Sequence, residues 1–598
     1  MNYGDAHDAA GDGGYAGIAM ETLMTLSGQA VAGSTDAGLG SRTGAAVQRC
    51  LDAALAYLHR EQQEGTHWAG TLSSSALATA ICLVALHVLD QARYREPIRR
   101  GRRWLFATQH DDGGWGDAVV DPSNINATSL ALGALTFTMD ANGGADERDA
   151  LRRARACLER FGGFAAVGDP ARCTLSGPCR TVAALAGLMQ WRRIKRLRPE
   201  VILLPRRLRR TISTTFPAYL SIATLHSAMA PHPLNWLPTY GLARSRATAW
   251  LRQAQGPDGS FEESAFLSAV IVACLVAAGR RDLPWLSGAA GFILKSQRDD
   301  GSWPIDRDLE TFDTAMTVQA LDEAGVPVPH GDRVRAWLLA RQFDRTCFPT
   351  GARPGGWAWA MPSGWPECDD TAYTILALRA LGVAPSARPI RRGAQWLEEM
   401  QNADGSWSTF VRNSSMPFDH DCPYITGHVL CALQAAGRLS PGSVVLGRAL
   451  AYIARAQRYD GSFASIWFRQ ATAGTASVLE ALAACGLLHT PLAQRARDAL
   501  LRGQNDDGGW AGLRGQDSTA EETSWALLAL MRWPPDGVLR RAVERGVAWL
   551  TARQQPDGTW VPAPIGLYYS AMWYSDSYFA VTLPVQALAR AKVYHATA

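Results

Sequence analysis

Gln504-Asn-Asp-Asp-Gly-Gly-Trp510 is the stretch whose reading decides the fold, because the chain repeats it along its length. Gln109–Trp115 (QHDDGGW), Gln297–Trp303 (QRDDGSW), Gln401–Trp407 (QNADGSW) and Gln554–Trp560 (QQPDGTW) keep Gln, Asp, Gly and Trp at the same offsets. Gln255–Phe261 and Gln457–Phe463 end in Phe, and Gln62–Gly65 with Trp68 is a degenerate copy. Each copy follows a helix-like apolar run, as in RRGAQWLEEMQ (391–401). The closest copies recur at about 40 to 56 residues, a period that suits stacked helical hairpins. Gly supplies the turn, Asp bonds the turn backbone, Gln reaches the next helix and the aromatic packs over it. These motifs are therefore read as structural rivets, and they explain some of the surplus of 21 Trp.

Between the copies, apolar residues recur at helical spacing: Leu51, Ala54, Leu55 and Leu58, then Leu77, Ile81, Val84 and Val88. Alternating β-branched runs are scarce. The expected fold is all-α, with about a dozen helical hairpins closing into two (α/α) barrels, or toroids. Residues 1–44, rich in Gly, Ala, Asp and Ser, read as a disordered arm. A first barrel is expected over 45–310 and a second over 311–598.

Composition narrows the function classes. A chain of 598 residues is too long for one ordinary core. A formal charge of +4 implies no broad basic face, so nucleic acid is not an expected partner. The eleven Cys show no C-x-x-C pair or metal-finger spacing, which suits free thiols in a reducing compartment. The start lacks a basic flank and apolar core, so no signal peptide is expected. Uncharged stretches at 65–89 and 211–243 are broken by Ser, Thr, His and Pro, which argues against spanning helices. The basic stretch WRRIKRLRPEVILLPRRLRR (191–210) reads equally as a solvated loop or as a patch lying on an anionic membrane face.

The chemistry-bearing stretch is WPECDDTAYTILAL (365–378), where Glu367, Asp369 and Asp370 precede Thr371 at the start of an apolar helical run. By spacing alone the bland reading leads: acids and Thr cap free N–H groups and suit the positive end of the helix dipole. The sharper reading is that crowded carboxyls hold a proton with a raised pKa and form a Brønsted acid.

Together, the Q-x3-G-x-W repeats and ECDDTA (367–372) resemble the squalene–hopene cyclase and oxidosqualene cyclase family of class II terpene cyclases. RPEVILLP (198–205), PGGWAWA (354–360), ITGHVLCAL (425–433) and DSTAEETSWALLAL (517–530) extend the resemblance in order. It implies a γ-like inserted first barrel and a β-like second barrel. Carried over by position, the family's D-x-D-D motif falls on Glu367–Asp370. The resemblance makes Asp369 the catalytic proton donor, Asp370 and Glu367 its tuning neighbours, and His428 its hydrogen-bond partner. A core histidine is the bland alternative for His428. Glu367 stands for Asp at the first motif position, Tyr424 for an Asp four residues before the His, and Ala473 for a Tyr. These departures imply a reshaped pocket.

The implied reaction protonates a terminal alkene of a linear polyprene and drives carbocationic polycyclisation between the barrels. A cation needs walls without nucleophiles, and aromatic faces attract it by ~0.5–2 kcal/mol each. Candidate substrate-binding residues are Phe312, Trp357, Trp359, Phe418, Tyr424, Trp467, Tyr569, Trp573, Tyr574 and Tyr578, with core packing as the alternative for each. No cofactor or metal is expected, Mg²⁺ entering only as counter-charge to a diphosphate substrate. A hydrophobic isoprenoid is the expected partner, with the inner membrane face as a peripheral location in the cytoplasm and a homodimer left open. Rival readings are a class II diterpene cyclase acting on geranylgeranyl diphosphate and a non-catalytic helical toroid that binds partners.

Overall fold

The computed structural model describes residues 41–139, 144–205, 209, 215–416, 418–568 and 572–596. Two rings of inner helices organise these residues. In the first ring Ala76–Asp90, Ile125–Thr138, Ser176–Leu185, Phe216–Met229 and Ala265–Ala277 touch in succession, and the last packs back on the first. In the second, Glu310–Glu323, Cys368–Ala380, Pro423–Ala435, Thr472–Ala484, Ala520–Leu530 and Phe579–Ala596 close in the same way. Each ring surrounds its own hydrophobic core.

The sequence separates inner from outer helices by how far round the apolar residues run. Ala265–Ala277 (AFLSAVIVACLVA) is apolar on every face, and all but its last residue are buried. Arg388–Met400 carries one stripe, Ile390, Gly393, Ala394, Trp396 and Leu397, and leaves its Arg and Glu residues outside the core.

The repeated turns fasten the two layers. Trp510 Nε1 donates to the Leu500 carbonyl ten residues earlier (2.7 Å), and its backbone N–H donates to Thr523 Oγ1 of an inner helix (2.9 Å). Gln504 Nε2 donates to Gly508 O (2.8 Å) and to Ala542 O of the next outer helix (2.9 Å). Gly508 takes φ +96°, where a Cβ would be strained and would also press on the Arg545 carbonyl. The same bonds close each ring. Gln297 reaches back to Pro97 O in the first, and Gln554 reaches Cys50 O in the second.

That last bond corrects the expected boundary. The helix Ser41–Arg60 packs on Gly537–Arg553 and Phe579–Ala596, and its Val47, Leu51, Ala54 and Leu58 belong to the second core. Residues 45–60 thus complete the second barrel, not the first. A ring of hairpins must end by pairing its last helices with something, and repeat spacing cannot say which ring a terminal helix completes. The expected arm loses 41–44 to this helix, and residues 1–40 lie outside the described residues. A short antiparallel hairpin, Gly566–Tyr568 with Met572–Tyr574, sets Leu567 opposite Trp573 and leads into the final helix. Among the described residues no helix is long and apolar enough to cross a membrane.

Candidate active site

The helix Cys368–Ala380 opens with Glu367 at its N-cap in extended conformation, yet no side chain caps it. The capping reading is therefore corrected. Thr371 Oγ1 donates to Glu367 O (2.6 Å) and accepts from Trp357 N–H (2.9 Å), so the hydroxyl is spent on fixing the incoming strand. Glu367, Asp369 and Asp370 are left to line one cavity, each less than a tenth exposed.

His428 comes from the neighbouring inner helix Pro423–Ala435, where Gly427 allows close approach: a Cβ there would lie 2.6 Å from the Ser477 carbonyl oxygen. His428 Nδ1 lies 2.8 Å from Asp369 Oδ1, and Nε2 lies 3.3 Å from the Tyr373 hydroxyl. Tyr424 Oη follows at 3.4 Å from Tyr373 Oη, and both tyrosine rings meet the imidazole edge-on. A neutral imidazole satisfies this chain in one direction: Nδ1–H donates to Asp369 while Nε2 accepts from Tyr373.

Burial, then the crowding Asp369 carboxyl, pushes the Glu367 carboxyl well above its ordinary pKa. Burial and the adjoining Glu367 carboxyl, which interacts with it directly, do the same for Asp370. For both, burial favours the protonated form.

Phe312, Trp359, Trp467 and Tyr574 line the same cavity as the acids. Other expected wall residues lie elsewhere. Trp357 is fully buried and donates from Nε1 to Leu338 O (2.8 Å), while Gln342 donates to Gly355 O and Pro389 O. It is a further rivet, hidden because an insertion separates its Gln from its Trp. Tyr424 sits behind His428, not on the cavity surface. Tyr578 packs against Tyr57, and Trp573 lines a separate polar groove. Phe418 is outside the cavity lining, and Tyr569 lies outside the described residues.

Sequence reasoning missed Phe410 and Phe468 on the wall, as well as the first-barrel acids Asp117 and Asp306; in the C-terminal cluster LYYSAMWYSDSYF (567–579), also a candidate wall, it favoured Tyr569, Trp573, Tyr574 and Tyr578 over Tyr568 and Phe579, which line the cavity. A signal existed for most of them. Four of the rivets pin loops whose residues just after the aromatic enter the cavity: Asp117 after Trp115, Ile305 and Asp306 after Trp303, Phe410 after Trp407, and Trp467 and Phe468 after Phe463. Among the described residues no group of three His, Cys, Asp or Glu side chains is placed to hold a metal.

Residues 310–593 match the family model for the squalene–hopene cyclase C-terminal domain, and residues 51–217 match that for its N-terminal domain. Residues 206–348 match the prenyltransferase alpha-alpha toroid domain. The chain is 26% identical over 640 residues to a squalene–hopene cyclase of Alicyclobacillus acidocaldarius, covering 92% of this chain and 98% of that one. It is 34% identical over 286 residues to a squalene–hopene cyclase of Bradyrhizobium diazoefficiens, covering 42% of this chain and 43% of that one. Among solved structures it resembles ent-copalyl diphosphate synthase from Streptomyces platensis, with a TM-score of 0.57 at 21% identity, covering 93% of this chain and all of that one. That likeness concerns the fold.

Proposed function

The chain belongs to the squalene–hopene cyclase family and is a class II terpene cyclase, and we propose that Asp369 starts its reaction by protonating the terminal alkene of a linear polyprene. The observation that carries the assignment is the 2.8 Å contact between Asp369 and His428 at the wall of an aromatic cavity. The proton transferred is the one carried by the Asp369 oxygen turned from His428. Transfer to the alkene forms a C–H bond and a tertiary cation, and leaves a carboxylate that Nδ1–H of His428 already faces. Burial favours the neutral forms of Glu367 and Asp370, which limits the charge that would oppose proton release or trap the cation.

The cation then migrates past Phe312, Trp359, Phe410, Trp467, Phe468 and Phe579 as the rings close. Each aromatic face stabilises it by ~0.5–2 kcal/mol and offers no lone pair to bond it. The chemistry runs on the chain's own side chains without a cofactor.

The substrate reaches the cavity from a lipid face in this reading. Trp236 is 90% exposed, and Leu204, Leu237 and Leu242 stand exposed near the basic stretch. Replacing Trp236 and Leu237 with Glu is expected to reduce cosedimentation with anionic vesicles; undiminished binding would refute the lipid face.

Incubation of the purified protein with squalene, farnesyl diphosphate and geranylgeranyl diphosphate, followed by mass spectrometry, tests the function. Cyclic products are expected from the wild type and none from Asp369→Asn. Full product yield from Asp369→Asn would overturn the assignment of the acid.

A further inference from the structure

We infer that Asp117 is the base that ends the cascade, taking a proton from the carbon next to the final cation. This rests on the cyclase reading above but concerns the opposite event. An isomerisation begun by proton donation must return a proton, and the cavity offers few groups able to accept one.

Glu367 and Asp370 flank Asp369 at the helix start where the reaction begins, and burial favours their protonated forms. Asp306 also lines the cavity, but it lies close enough to Glu367 to raise that group's pKa, so it belongs to the end where the reaction starts. Asp117 stands apart from that end, on the first-barrel loop after Trp115, where Ser75 holds it.

Asp117 is held as a base should be. Its Oδ1 accepts from the Ser75 hydroxyl (2.6 Å) and sits 3.4 Å from Leu77 N, at the N-terminus of the helix Ala76–Asp90. These donors and the helix dipole favour the anion. Its Oδ2 is buried without a hydrogen-bond partner, in a residue that is 1% exposed and lines the cavity. Burial pushes the carboxyl up to about 7, so a large fraction is ionised at neutral pH while its basicity exceeds that of an ordinary aspartate.

The step balances. The C–H bond beside the cation breaks, its electron pair becomes the C=C bond, and the proton bonds Asp117 Oδ2. Asp369 has given one proton and Asp117 has gained one, so substrate and product are isomers. The loop 115–121 also provides an outlet. Asp121, four residues on, is packed against Gly116, and a Cβ on that glycine would lie 2.7 Å from Asp121 Cβ. Asp121 lines the polar groove on the other side, along with Arg469, Gln516 and Asp517. It too is pushed up to about 7 by burial. Asp117 faces the dry cavity and Asp121 the wet groove, so the proton leaves between turnovers without water meeting the cation.

The test compares wild type with Asp117→Asn and Asp117→Glu on squalene and geranylgeranyl diphosphate, reading the ratio of the main alkene to all other cyclic products. Asp117→Asn is expected to lower that ratio by about 100-fold, the lower range for loss of a general base, with alcohols or other alkenes taking its place. Asp117→Glu, which moves the carboxylate by one methylene, is expected to shift the position of the new double bond. An unchanged product pattern in Asp117→Glu, or in folded Asp117→Asn, would overturn the proposal. If Asp117→Asn does not fold, the Asp117→Glu pattern decides. Full product yield from Asp369→Asn would instead overturn the assignment of the acid, and no cyclic product from the wild type would fail the cyclase reading itself, so these failures are distinguishable from that of Asp117.

Discussion

Replacing His428 with Phe keeps a ring between Tyr373 and Tyr424 but removes both nitrogens. The wild-type ring is largely buried and packs edge-on at 4.6 and 4.3 Å from those tyrosine centroids, so Phe fits the slot. What disappears is the 2.8 Å hydrogen bond to Asp369. A hydrogen bond to a charged group contributes about 1.5–3 kcal/mol, and here the charge on Asp369 develops only as the proton leaves. At about 1.4 kcal/mol per decade, the expected fall in kcat is roughly 10- to 150-fold, with KM little changed. Tyr373→Phe removes the weaker 3.3 Å contact on the far nitrogen and the 3.4 Å contact to Tyr424, leaves the Asp369 bond in place, and is expected to cost less than about 10-fold. Steady-state product formation under saturating substrate gives the values, and circular dichroism checks that the variants fold. An unaltered kcat in folded His428→Phe would refute the role given to the histidine. A fall seen only in KM would do the same, because it would place His428 in ground-state binding.

Phe468→Leu removes one cation-stabilising face and is expected to raise the share of products with fewer rings by about 2- to 30-fold, read by gas chromatography with mass spectrometry. Trp357→Phe removes the indole donor from the Leu338 carbonyl, which keeps only the Arg341 N–H, and is expected to cost about 1–3 kcal/mol of stability, seen in the thermal midpoint, while the product pattern stays as in the wild type. A changed pattern would return Trp357 to the cavity wall. Asp306 is raised by burial to about 7 from 3.8, so the folded protein binds more protons than the unfolded chain between those values. Its contribution to stability is therefore complete below about pH 4 and is lost as pH rises toward 7, at up to about 1.4 kcal/mol per pH unit. Asp306→Asn is expected to flatten that decline in a pH series of thermal midpoints; an unchanged slope would show that Asp306 does not titrate in this range.

The rivets were legible in the sequence because their bonds are local. Trp510 reaches Leu500 and Gln504 reaches Gly508, so the spacing in the chain is the geometry of the turn. All-helical rings follow from that repeat, and the crowding of Glu367, Asp369 and Asp370 follows from three neighbouring positions at one helix start. Only the tertiary structure could decide contacts between distant segments. Gln554 bonds Cys50 across nearly the whole chain, which is why the first helix completes the second ring. Trp357 and Trp359 stand two residues apart in the same motif, yet one donates into the core and the other faces the cavity, a difference set by Leu338 and Thr371. Asp117 and Asp369 belong to different barrels, and no periodicity relates them. They share a cavity because each barrel's riveted loops end there, and a dry space between two rings is a property of their docking, not of either sequence segment.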